Sequence, residues 1–213
     1  MAKDKQTLAQ RNNLIRASVM GANDGILSVS GIVIGVAGAT TNSFAIFIAG
    51  FAGALAGTVS MAMGEYVSVH SQNDAQIKAE AVQNDALNNR YDEEFAFVQK
   101  KYEAQGISEH LANKATQEMM EKDALGTTVR ERYGFTLHHE MSAVGAAIAS
   151  MVSFPLGSML PMLAITLFPP HIRVAATGVA VLIALAITGY SAAHLSGANE
   201  KKATLRNVVA GVF

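Results

Sequence analysis

The chain has 213 residues, 50% of them hydrophobic and 15% charged, with a formal net charge of −1 and a mean hydropathy of +0.25. Soluble domains carry roughly 25% charged residues, so this deficit, with 18 Gly and 10 Met, points to a membrane protein. The near-neutral charge gives no basis for nucleic acid as a partner, and the absence of cysteine excludes disulfides, thiolate zinc sites and thiol catalysis.

In chain order, Met1 to Asn13 is polar and has no short apolar core, so no cleaved signal peptide is expected. A membrane-spanning helix needs roughly 20 mostly apolar residues, and four stretches qualify. The first is Ala17 to Ala39, with a single charge at Asp24. The second is Ser43 to Gly64, ending at Glu65. The third is Ser142 to Phe168, with Pro155 and Pro161 inside, and the fourth is Val174 to Leu195, with His194 near its end.

Between spans two and three lies a polar block, Ser68 to Glu140, that reads as two or three amphipathic helices. Ala75 to Ala86 is rich in helix formers, and Glu93 to Ala104 sets Phe95, Val98 and Tyr102 at helical spacing. Gly106 fits a C-cap, and Ser108 opens a further helix running to about Ala124. No strand alternation is present. The expected architecture is an all-α polytopic membrane bundle of four full spans and a truncated fifth, divided as 1–67, 68–140 and 141–213. For that fifth, Asn207 to Phe213 would reach only about 10 Å at 1.5 Å per residue, which reads as a truncated product in preference to an interfacial stub.

Lys and Arg placement sets orientation. Basic residues gather before span one (Lys3, Lys5, Arg11, Arg16), throughout the central block, and after span four (Lys201, Lys202, Arg206). The Thr40-Thr41-Asn42 turn has none, and the Phe168 to Arg173 connection has Arg173 alone. The N-terminus and central module are thus expected in the cytoplasm, in a pattern that suits a bacterial plasma membrane.

Several residues are suited to carry a cation. Asp24 lies in a span, where an ionised carboxylate costs several kcal/mol and usually lines a pathway or takes a partner; hydration at the interface is the plainer alternative. Met61 and Glu65 are four apart on one helix face. A soft thioether beside a hard carboxylate suits a borderline metal such as Fe(II) or Mn(II), although Met is also common filler, and Met63 is read as packing. In the central block Glu93, Glu94, Met119, Met120 and Asp123 are candidates against the alternative of a solvated face, and His110 and the His138-His139 pair are further possible ligands. Gly31 and Gly35, then Gly53 and Gly57, stand at small-xxx-small spacing, which serves either packing within one subunit or a dimer seam. No nucleophile has a matching base and no phosphate-cradling loop follows a strand, so an enzyme is not expected.

The run Asp24-Gly25-Ile26-Leu27-Ser28, the segment Ser60-Met61-Ala62-Met63-Gly64-Glu65-Tyr66-Val67-Ser68 and Ser71-Gln72-Asn73-Asp74 resemble the vacuolar iron transporter family. The resemblance continues through Met119-Met120 and Asp123-Ala124-Leu125-Gly126 and covers the chain from Arg11 onward. It implies five transmembrane helices, a homodimer, and transport of iron, often manganese, in exchange for protons through a path at the dimer interface, with a cytoplasmic helical domain that collects metal. Residue by residue, it places the intramembrane acid on Asp24, the pathway methionine on Met61 and the following acid on Glu65. In the module it places ligands on Glu94, Met119 and Met120, with Asp123 where a glutamate is expected. Gln83, Ala86 and Phe97 stand at the remaining ligand positions and supply no carboxylate. With fewer charged oxygens the module should bind metal more weakly, as a low-affinity collector, a site for another metal or a structural remnant. The expected function is export of divalent iron or manganese from the cytoplasm; a membrane-anchored metal-binding or regulatory protein is the alternative.

Overall fold

The computed structural model describes residues 8–137 and 140–212, so the His138-His139 pair lies outside the described residues. Among the described residues there are seven helices: α1 (Leu8–Ala39), α2 (Ser43–Asn89), α3 (Tyr91–Ala104), α4 (Glu109–Tyr133), α5 (Ala143–Leu167), α6 (Arg173–Ser196) and α7 (Glu200–Val212). No strand occurs among the described residues. The chain forms two units, one built from the chain up to Val69 and from Ser142 onward, the other from His70–Met141.

In the first unit, α1, α2, α5 and α6 are each long and apolar enough to cross a membrane. Asn42 caps α2, its Oδ1 accepting from the amides of Phe44 (3.0 Å) and Ala45 (3.1 Å), so the chain reverses in three residues. Ser142 caps α5 by accepting from Gly145 N at 2.9 Å, and Gly197, at φ 70°, closes α6. The core gathers Val29 and Val33 of α1, Ile46 of α2, and Phe154 and Ile165 of α5.

Glycine decides how closely these helices approach. A methyl group at Gly25 would run into the Phe154 carbonyl oxygen, and one at Gly157 into the Ala22 carbonyl oxygen, so α1 and α5 meet backbone to backbone. Gly57 is covered by the Phe154 ring and Gly53 by Ile32, which assigns that pair to packing within the chain. Around Gly31, Gly35 and Gly38, by contrast, no atom comes within 4 Å of an added Cβ.

Arg173 is only 2% exposed. Its Nη2 donates to the Thr40 carbonyl at 3.0 Å and its Nη1 lies 3.5 Å from that of Thr41, which sets a cation at the negative end of the α1 dipole. Read from sequence as a loop charge, it fastens the start of α6 to the connection between α1 and α2. α7 is held by amides: Asn207 Nδ2 donates to Leu185 O (2.7 Å) and Thr188 Oγ1 (2.8 Å), and Asn23 Nδ2 donates to Asn207 Oδ1 (2.6 Å).

Three helix boundaries depart clearly from the sequence reading. α1 begins at Leu8, well before Ala17, and α2 runs unbroken to Asn89, so the segment 75–86 continues the second span's helix. Nothing after Gly64 breaks it: no proline or glycine occurs before Gly106. In the second unit α4 runs on past Ala124 to Tyr133, after a kink where Asp123 leaves helical geometry (φ −159°, ψ 85°). Gly106, at φ 93°, follows the end of α3 as its cap position requires.

Candidate functional site

The carboxylates singled out by the sequence differ in what lies against them. Asp24 is partly buried on α1, and Ser28, one turn on, donates its hydroxyl to Asp24 Oδ1. It meets no basic side chain among the described residues. Asp24, Ser28, Gly31, Gly35 and Gly38 recur at alternating spacings of four and three, and so share one face of α1. That is the face on which the three glycines meet nothing within the chain.

Glu65 is buried, 5% exposed, and is already paired. Arg16 Nη2 lies 2.8 Å from its Oε2 and Nη1 3.3 Å from its Oε1, while Nη2 also donates to Asn13 Oδ1 at 3.1 Å. A buried carboxylate needs such a partner. Met61, one turn before Glu65, is half-buried and packs against the cluster of Val29, Val33, Ile46, Phe154 and Ile165. Met63 is 54% exposed and is not packed inside the chain.

The second unit sets Glu94, 4% exposed, between two donors. Gln83 Nε2 reaches Glu94 Oε2 at 2.7 Å, and Arg132 Nη2 reaches Oε1 at 3.0 Å and Oε2 at 2.9 Å. The Arg132 guanidinium also lies over the Phe97 ring, 4.0 Å from its centroid, a cation–π contact. Ala86 is buried beside this group. Arg132 is the residue that sequence reasoning missed; a basic residue near a helix end gave no signal of its partner 38 positions away.

Met119 and Asp123 have partners of their own in this unit. Asp123 Oδ1 accepts from Gly126 N at 2.8 Å, which caps the helix resuming after the kink. Met120 is buried, 3% exposed. Met119 Sδ lies 3.7 Å from both Tyr102 Oη and Arg130 Nη2. Those two groups converge on Glu131, with Tyr102 Oη 2.9 Å and Arg130 Nε 3.0 Å from Oε1, and Lys101 donates to the Glu131 backbone carbonyl. Burial pushes the Glu131 carboxyl up, but hydrogen bonds from Arg130, Tyr102 and Lys101 outweigh it and hold the group below the ordinary carboxylate range. Burial and the nearby Glu131 charge push the Tyr102 hydroxyl up, so it stays a donor. His110 is exposed in the first turn of α4. Among the described residues no group of three or more His, Asp or Glu converges as a metal site.

The chain is 31% identical to vacuolar iron transporter homolog 3 of Arabidopsis thaliana, over 99% of this chain and 84% of that relative. Against the vacuolar iron transporter of Acanthamoeba castellanii it is 32% identical over 99% of this chain and 78% of the relative. Against vacuolar iron transporter homolog 1 of Oryza sativa subsp. japonica it is 33% identical over 94% and 69% respectively. These relatives bear the names of transporters, which is not an enzymatic role. A family model described as the VIT family matches residues 15–213, which takes in all four long apolar helices and the module between them: the chain belongs to the VIT family.

Proposed function

We propose that this chain moves a divalent transition metal, iron or manganese, out of the cytoplasm, in exchange for protons, along a path at the interface of a homodimer in the bacterial plasma membrane. The N-terminus and the helical module lie on the cytoplasmic side. Asp24 supports this reading most directly. Glu65 and Glu94 each carry an arginine and Asp123 caps a helix, whereas Asp24 stands in a span with no basic partner among the described residues. A carboxylate in that position is expensive unless something cationic visits it.

The face on which Asp24 stands supports the dimer. Gly31, Gly35 and Gly38 leave α1 bare along that side, so a second α1 can approach closely and bring two Asp24 side chains to one path. Metal would meet the carboxylate of Asp24, with Ser28 as its neighbour and the thioether of Met61 as the softer donor farther along. Protons compete with metal for the same oxygens, so protonation from the opposite side releases the cation. Glu65 takes part once Arg16 swings off it, which gives that ion pair the character of an entry gate.

Flux in reconstituted vesicles tests the proposal. Asp24→Asn should reduce Fe(II) or Mn(II) flux to the level of empty vesicles, and metal movement by the unaltered protein should dissipate an imposed pH gradient. Undiminished flux in the Asn variant removes Asp24 from the mechanism. Metal binding without flux by the unaltered chain would favour a membrane-anchored metal-binding protein.

A further inference from the structure

We infer that the helical module His70–Met141 is assembled around an internal cation, the Arg132 guanidinium, which fills the place at Glu94 that a metal ion would need, so the module stays folded and loads no metal. This deepens the transport reading by making passage independent of metal loading in the module, yet its physical basis stands apart from that reading.

Both oxygens of Glu94 are taken. Oε2 receives Gln83 Nε2 at 2.7 Å and Arg132 Nη2 at 2.9 Å, while Oε1 receives Nη2 at 3.0 Å. An ionised carboxylate has about four lone-pair positions, and an approaching metal would have to displace hydrogen bonds that are buried and charge-assisted. The guanidinium is held from a third direction by the Phe97 face. Lining the adjoining cavity of about 600 Å³ are Arg90, Lys100 and Arg132 against only Glu93 and Glu94. Basic groups in the majority repel a divalent cation before it arrives.

The neighbouring donors do not compensate. Gln83, 1% exposed, gives an amide N–H to Glu94 and has only a neutral amide oxygen left to offer a metal, and Ala86 is buried with no ligand atom at all. Asp123 gives one carboxylate oxygen to the Gly126 amide. The module's stability therefore rests on an ion pair carried by its own chain: α2 supplies Gln83, α3 supplies Glu94 and Phe97, and α4 supplies Arg132.

The test uses the full chain in lipid nanodiscs, with Mn(II) as probe. Bound Mn(II) per protomer, read by equilibrium dialysis and by electron paramagnetic resonance, should be the same for the unaltered protein and for Glu94→Gln. Thermal unfolding should be unmoved by EDTA, whereas Arg132→Met should lower Tm by about 5–10 °C, because a buried carboxylate is left uncompensated. Arg132→Lys, which keeps the charge but loses the two-pronged grip and ring stacking, should fall between. Loss of a Mn(II) equivalent in Glu94→Gln, or a fall in Tm on chelation that persists in Asp24→Asn, overturns the inference. Metal flux through Glu94→Gln vesicles separates the two ideas. Absent flux in the unaltered protein sinks the transport reading while leaving the occupancy result to decide this one; flux lost in a Glu94→Gln protein whose Tm is unchanged overturns this one.

Discussion

Asp24, Glu65, Glu94 and Asp123 are alike in the sequence and unlike in the folded chain, because a side chain's partner is fixed by tertiary approach. Spacing placed Met61 and Glu65 on one helix face, and the structure keeps them a turn apart. It held nothing to join Glu65 to Arg16, 49 positions away, or Glu94 to Arg132. Asp123 was legible as a carboxylate, but its bond to Gly126 depends on a kink that helix propensity does not announce. Glu131 was not singled out at all, yet it anchors three groups of the module. Its carboxyl is held below the ordinary value of 4.5 in the folded state. The stabilisation it brings is therefore present above the unfolded value and is lost as pH falls through the folded one. Glu131→Gln should lower resistance to denaturant more at neutral pH than near pH 3, roughly where the unfolded carboxyl is protonated and the contribution of the folded one has begun to fall away. Denaturant titrations of the full chain at both pH values check this; equal losses at both would show that Glu131 acts by packing alone.

At the scale of helices, hydrophobic runs located all four spans, since about 20 apolar residues have few other uses. Their polar extensions were harder to see. α1 starts at Leu8 and α2 reaches Asn89 because nothing in those polar stretches breaks a helix, and hydropathy is blind to that. Which glycines serve packing was also hidden, because the pattern in α1 resembles that in α2. The structure separates them: Gly25 and Gly157 lie at the crossing of α1 and α5, whereas Gly178 of α6 has nothing within 4 Å of an added Cβ. Gly157→Ala should force the two backbones apart and cost about 1–3 kcal/mol, as overpacking does. Gly178→Ala should be neutral or slightly stabilising, since alanine favours the helix. Thermal unfolding of both variants in detergent gives the comparison, and equal midpoints would mean that the crossing relaxes at no cost.

For the whole molecule, composition and apolar runs sufficed to read an all-helical membrane protein with a polar module between its second and third spans, and the residue motifs sufficed for the family. What they left open was whether the α1 glycines face a partner. Within one chain the side bearing Asp24, Ser28, Gly31, Gly35 and Gly38 is bare around the three glycines, so either lipid or a second protomer covers it. A bulky residue there discriminates, because it fits lipid readily but blocks close helix approach. Gly35→Leu should leave the midpoint of monomer unfolding unchanged, since no neighbour in the chain is displaced. It should nevertheless weaken dimerisation by about tenfold, corresponding to roughly 1.4 kcal/mol, and reduce metal flux in proportion to the dimer lost. Sedimentation in detergent and energy transfer between labelled protomers in vesicles read the first effect, and flux at matched protein density reads the second. Gly35→Ala should disturb both far less. A Leu variant that dimerises and transports normally would place lipid on this face, and the path past Asp24 would then have to run inside a single protomer.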